Sequence, residues 1–102
     1  MKIIYVCSPL KGDYEKNILN AKMYCRDITL QGNIPIAPHI YFTQFLDDTK
    51  EEERELGMRC GIELLKICDE LWVYGKPSEG MQKEIEWWQK NTDKPIVRGK
   101  IK

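Results

Sequence analysis

The sequence has no excess of either charge: sixteen Lys+Arg stand against sixteen Asp+Glu, a formal net charge of zero. With no net field to draw it to a polyanion or an anionic membrane, a nucleic-acid polymer is not an expected partner. Long apolar runs are missing too. The run Ile3 to Cys7 stops at Ser8 and Pro9, far short of the ~18 residues of a membrane span, so neither a span nor a signal peptide is expected. Histidine occurs once, at His39, and no two cysteines stand as C-x-x-C. Zinc-ligand spacing is therefore absent, and no metal or other cofactor is expected. No P-loop and no G-x-G-x-x-G after a strand can be found, which removes the signatures of a P-loop ATPase and of a dinucleotide enzyme.

What is present fits one small globular unit. The 102 residues are 42% hydrophobic and 31% charged, enough to bury a core, and a single domain over 1–102 is expected. Small size also favours self-association. The four cysteines, Cys7, Cys25, Cys60 and Cys68, read as reduced, mostly buried thiols of a cytoplasmic protein.

Hydrophobic spacing divides the chain into alternating strands and helices. Lys2 to Cys7 is a β-branched and aromatic run without polar alternation, the pattern of a strand covered on both faces. Tyr14, Ile18, Ala21, Cys25 and Ile28 recur at helical steps, with Gly12 or Asp13 as N-cap and Gly32 beyond the end. Asn33 to Pro38 is short and proline-rich, acceptable only at a sheet edge. Thr49 to Glu52 matches a capping box, opening a helix whose expected buried stripe is Leu56, Cys60, Leu64 and Ile67. Glu70 to Gly75 reads as a third strand, Met81, Ile85 and Trp88 as the stripe of a last helix started by Ser78, and Pro95 to Val97 as a fourth strand. The alternation predicts an α/β fold: a Rossmann-like or flavodoxin-like three-layer sandwich around a short parallel sheet of about four strands.

In such sheets ligands bind beyond the carboxyl ends of the strands, at the topological switch point. Segments 8–13, 38–48 and 75–80 would build that edge. The turn Pro77-Ser78-Glu79-Gly80-Met81 opens a helix toward it and suits an anion, although Ser78 has an equally good role as a simple cap. Glu84 falls roughly 60 to 80° from the centre of the Met81, Ile85, Trp88 stripe, near enough to the cleft to serve as nucleophile or base, or else to stand exposed on a charged helix. His39 would close the second strand, where an imidazole can touch a substrate. Asp69 would lie at the opposite, structural end. Trp87, about 100° from Trp88 around the helix, is the expected anchor of a homodimer or higher homo-oligomer.

Taken in order, Tyr5-Val6-Cys7-Ser8-Pro9-Leu10-Lys11-Gly12-Asp13, Pro35-Ile36-Ala37-Pro38-His39, Cys68-Asp69-Glu70-Leu71-Trp72-Val73 and Ser78-Glu79-Gly80-Met81-Gln82-Lys83-Glu84-Ile85 resemble the nucleoside 2-deoxyribosyltransferase superfamily, especially its small phage and bacterial members. The resemblance implies cleavage or exchange at the N-glycosidic bond of a deoxynucleoside or its 5′-monophosphate. Glu84 would attack the anomeric carbon and Tyr5 would orient its carboxylate. Ser8, Lys11, Ser78 and Gly80 would line the sugar or phosphate pocket, and Gly12, His39 and Met81 complete the expected substrate-binding set. The resemblance also implies a second acid about two helical turns before Asp69, where this chain has Gly61, with Glu63 the nearest carboxylate. The alternative is a non-catalytic nucleotide-binding or sensing module of the same fold.

Overall fold

Residues 1–99 are described by a computed structural model of the chain. Four strands, β1 (Ile3–Cys7), β2 (Ile34–Ile36), β3 (Glu70–Val73) and β4 (Ile96–Arg98), alternate with helices α1 (Tyr14–Leu30), α2 (Pro38–Phe42), α3 (Glu51–Lys66) and α4 (Glu79–Asn91). The strands pair in parallel in the order β2-β1-β3-β4. This is the α/β, flavodoxin-like architecture expected of the sequence, with the strand order reversing at β1.

Period-two alternation in β1 divides the core. Ile4 and Val6 face Tyr24 and Ile28 of α1 together with Tyr74. Tyr5 and Cys7 face Leu65, Cys68, Met81 and Trp88 on the α3 and α4 side. Both faces being covered, β1 must be apolar throughout, which is why its run lacks polar alternation. Pro35 is tolerated because β2 lies at the edge and pairs only with β1. At the opposite end of the sheet Asp69 accepts a hydrogen bond from the Ile3 amide at 2.7 Å, a structural position.

Four local expectations are corrected. Tyr14 lies outside the α1 stripe, exposed at 45%, and Tyr24 takes the inward place, stacking on Tyr74 with ring centroids 3.9 Å apart. Thr49 does not cap α3; its hydroxyl turns back to the Asp47 carboxylate at 2.6 Å and Lys50 is the N-cap. The inward face of α3 lies one residue, or about 100°, from the expected stripe: Gly61 and Leu65 are buried while Leu56, Cys60 and Ile67 are exposed. Trp87 is half-buried against the α3 and α4 side of the core, so it does not supply the exposed anchor expected of it.

The four cysteines are all unpaired, Cys7 and Cys68 being buried and Cys60 exposed. Burial pushes the Cys68 thiol up to about 12 and Cys7 higher still, so neither is an ionised nucleophile at neutral pH. Denatured, non-reduced protein is expected to titrate four thiols, with Cys60 the fastest to react in the folded state. A count of two would mean a disulfide that this geometry does not contain.

Candidate functional site

The carboxyl end of β1, the start of α4 and one face each of α2 and α3 enclose a cleft of about 390 Å³. It forms where strand order reverses, because the connections that leave the neighbouring strands β1 and β3 pass to opposite faces of the sheet, α1 to one and α4 to the other, and part the loops above it. Ser78 sets its α4 wall: the hydroxyl accepts the Met81 amide at 3.3 Å and fixes the start of the helix. With Met81 and Trp88 committed to the core, the helical period brings Glu84 over β1 at the cleft floor.

There Glu84 Oε2 accepts a hydrogen bond from the Tyr5 hydroxyl, and Oε1 lies 3.7 Å from Cys7 Sγ, a weak donor. Burial raises the Glu84 carboxyl to about 7, with the two hydrogen bonds pulling the other way. The Tyr5 phenol is held far above its ordinary range, first by burial and then by the facing carboxylate, so it stays a donor. Across from this pair stands the backbone of α3. A Cβ at Gly61 would meet the Tyr5 hydroxyl at 3.2 Å and Glu84 Oε2 at 3.8 Å. The place implied for a second acid therefore touches the pair directly, and the missing side chain keeps it open. Glu63 turns outward and pairs with Lys66 at 2.8 Å.

A second polar pair closes the β1 end. Ser8 Oγ lies 2.8 Å from His39 Nε2. Pro38 starts α2 with its fixed φ, so His39 sits in the first turn of a short helix instead of ending β2, and the turn swings its ring over Ser8. Desolvation holds the imidazole down to about 4, hence neutral at physiological pH.

Of the residues singled out from sequence, Tyr5, Ser8, Lys11, His39, Ser78, Gly80, Met81 and Glu84 all line this cleft. Gly12 does not; its φ of +100° makes it the residue that turns the chain into α1. Segment 38–48 was placed at this edge from sequence, and it supplies Phe42, Leu46 and Asp48; sequence reasoning missed the α3 wall, where Met58 supplies apolar surface, Gly57 and Gly61 supply room, and Arg54 and Glu53 supply charge. Glu53 is tied down, accepting the Asp47 amide at 3.0 Å and facing Lys50 at 3.7 Å. Hydropathy gave no sign of this wall, because a helix face that borders an open cleft carries glycines and charges where a core face would carry leucines. Among the described residues no three His, Cys, Asp or Glu side chains gather as a metal site, and no helix is long and apolar enough to cross a membrane.

A flavodoxin-like sheet with a carboxylate-floored cleft at its switch point defines the class of this protein. The chain belongs to the family described as a domain of unknown function, DUF7768, whose profile matches residues 2–98. Among curated proteins none matches it. Among solved structures it is similar to a 2-deoxyribosyltransferase of the psychrotolerant bacterium Bacillus psychrosaccharolyticus, with a TM-score of 0.65 and 19% identity over 98% of this chain and 76% of that one. It is also similar to a 2-deoxyribosyltransferase of Leishmania mexicana, with a TM-score of 0.60 and 16% identity, covering 96% of this chain and 63% of the other. At these identities the likeness is one of fold.

Proposed function

We propose that this chain is a single catalytic domain that breaks or exchanges the N-glycosidic bond of a deoxynucleoside or its 5′-monophosphate. The observation that carries the reading is the Tyr5–Glu84 pair at the cleft floor: a desolvated carboxylate, oriented by a buried phenol, facing space vacated by Gly61. The parent activity named for the two structural neighbours supports the same class. In this reading one Glu84 oxygen attacks the anomeric carbon as the base departs, and a covalent glycosyl–enzyme forms. Water or a second base then attacks the same carbon and frees the carboxylate. The apolar surface of Phe42, Leu46 and Met58 suits the planar base, and the Ser78–Met81 turn with Lys11 suits the hydroxyl or phosphate end of the sugar.

Free base released from a panel of deoxynucleosides and their monophosphates tests the reading. Turnover of at least one member is expected. Ligand-dependent thermal stabilisation without any release would instead favour the binding module, since a ligand at ~100 times its dissociation constant adds about 2.7 kcal/mol. Tyr5→Phe should leave measurable release, reduced about two- to twelvefold, because it removes one hydrogen bond of ~0.5–1.5 kcal/mol. A loss as large as that of a Glu84 variant would give Tyr5 more than an orienting role. Small size keeps a homo-oligomer the proposed assembly, and solution mass at micromolar concentration measures it.

A further inference from the structure

Gly61 places no side chain opposite the Tyr5–Glu84 pair, so any contact to a departing base has to come from another group lining the cleft. Each proton carried on the cleft floor already has an acceptor except one. Tyr5 gives its proton to Glu84. Ser8, the one buried polar residue among those described, at 7% exposure, has His39 Nε2 as its one side-chain hydrogen-bond partner among them. The tautomer follows from hydrogen-bond balance. If the hydroxyl donates to Nε2, its proton is satisfied; if the imidazole donated instead, a buried hydroxyl proton would be left over, at a cost of ~1–3 kcal/mol. The neutral ring then carries its proton on Nδ1. Among the described residues that nitrogen has no hydrogen-bond partner, yet none of their buried side-chain nitrogens or oxygens lacks one, so Nδ1 is open, and His39 lines the cleft.

We propose that Ser8 and His39 form a leaving-group site, in which Ser8 orients the ring and Nδ1–H donates a hydrogen bond to an acceptor atom of the departing nucleobase. The inference rests on the reading of Glu84 as nucleophile. The cations around the same cleft, Lys11, Arg54 and Lys83, are exposed and lose strength to solvent. The imidazole is desolvated and fixed, the condition in which a single donor counts most. Its neutrality suits the task, as a neutral imidazole polarises an acceptor without first shedding a charge.

As a Glu84 oxygen bonds to C1′, the C1′–N bond breaks and its electron pair stays on the base. The charge spreads to the acceptor atom held by Nδ1–H. The imidazole keeps its proton, and the base leaves as an anion that is protonated by solvent water. Water then adds its oxygen to C1′, breaks the C1′–O bond to Glu84 and gives its proton to solvent, returning the carboxylate. The substrate class is thereby narrowed to bases that carry a hydrogen-bond acceptor on the edge facing α2.

The test compares two leaving groups on one sugar: the deoxynucleoside that the wild type cleaves best, and 4-nitrophenyl 2-deoxyribofuranoside, whose nitrophenolate leaves without help from a donor. His39→Phe keeps ring volume and removes both nitrogens. The ratio of kcat for base release to kcat for nitrophenolate release should fall by ~10²-fold or more, the usual effect of losing one preorganised donor. His39→Asn, whose amide N–H reaches the Nδ1 place, should recover at least tenfold of that ratio. Ser8→Ala, a milder change should His39→Phe fold poorly, should lower the same ratio to an intermediate degree. Equal losses on both substrates, or no loss on the nucleoside, would overturn the leaving-group role while leaving Glu84 in place. A wild type that cleaves neither substrate would overturn the nucleophile reading, and this inference with it.

Discussion

Glu84→Gln is expected to abolish base release and, at the same time, to make the protein more stable above neutral pH. The two effects share one cause. Burial holds the folded carboxyl up at about 7, against an ordinary value of 4.5. Below pH ~4.5 both folded and unfolded forms are protonated and the group is silent. Between ~4.5 and ~7 the unfolded chain has released its proton while the folded one retains it, so wild-type stability falls as pH rises, by up to about 1.4 kcal/mol per pH unit. Above pH ~7 the deficit is complete. Glutamine carries no proton to release, and its amide oxygen still accepts from Tyr5. The variant should therefore match wild type at pH 4.5 and exceed it by a few kcal/mol at pH 8. His39, held down to about 4, costs stability as pH falls from ~6.5, but it is present in both proteins and cancels from the comparison. Thermal unfolding of both proteins at pH 4.5 and pH 8 measures the difference; a shift independent of pH would mean that the carboxylate is not desolvated. For wild type the same ionisation predicts kcat/KM rising with pH through about 7, because the nucleophile must be the anion. Equal base release by wild type and Glu84→Gln would remove Glu84 from the chemistry.

The largest loss of stability should come from Trp88→Ala. Trp88 is fully buried among Tyr5, Leu65, Leu71 and Met81, and its indole N–H donates to the Lys94 carbonyl at 3.0 Å. Lys94 in turn reaches the Cys68 carbonyl at 2.8 Å and lies 5.8 Å from the indole centre. One ring thus joins α4 to the ends of α3 and the segment before β4. Removing it leaves a cavity and an unpaired carbonyl, a loss of ~3–5 kcal/mol from a total that for a domain of this size is ~5–15 kcal/mol. The midpoint of thermal unfolding should fall by ~15 °C or more. A fall under about 5 °C would show that the α4 face of the sheet is loosely packed. Because Trp88 lies one turn from Glu84 on the same helix, any surviving folded protein should also cleave more slowly.

The sequence was most informative where a residue's fate depends on its near neighbours. The unbroken apolar run of β1, the proline in β2 and the Ser78 cap of α4 each follow from backbone chemistry within a few residues, and each is found as expected. Glu84 was legible for the same reason, since the Met81 and Trp88 stripe sets its phase on α4. Failures came where the deciding neighbour lies far along the chain. On α3 the hydropathy pattern favoured Leu56, Cys60 and Leu64, yet the inward face is the one with Gly57 and Gly61, which carry no hydropathy signal. A glycine at 61 matters only because Tyr5 and Glu84 come to rest against it. Residues 38–42 were too few for any period to mark them as a helix, and Ser8 and His39 meet across 31 positions of chain. By itself, then, the sequence determined the order of the four strands and three long helices, the edge at which the cleft opens, and the carboxylate on α4, because local periodicity and capping act over one or two helical turns. Only the tertiary structure decided which face of α3 turns inward and that Ser8 meets His39 at the cleft, because those depend on contacts that exist only once the sheet has brought distant segments together.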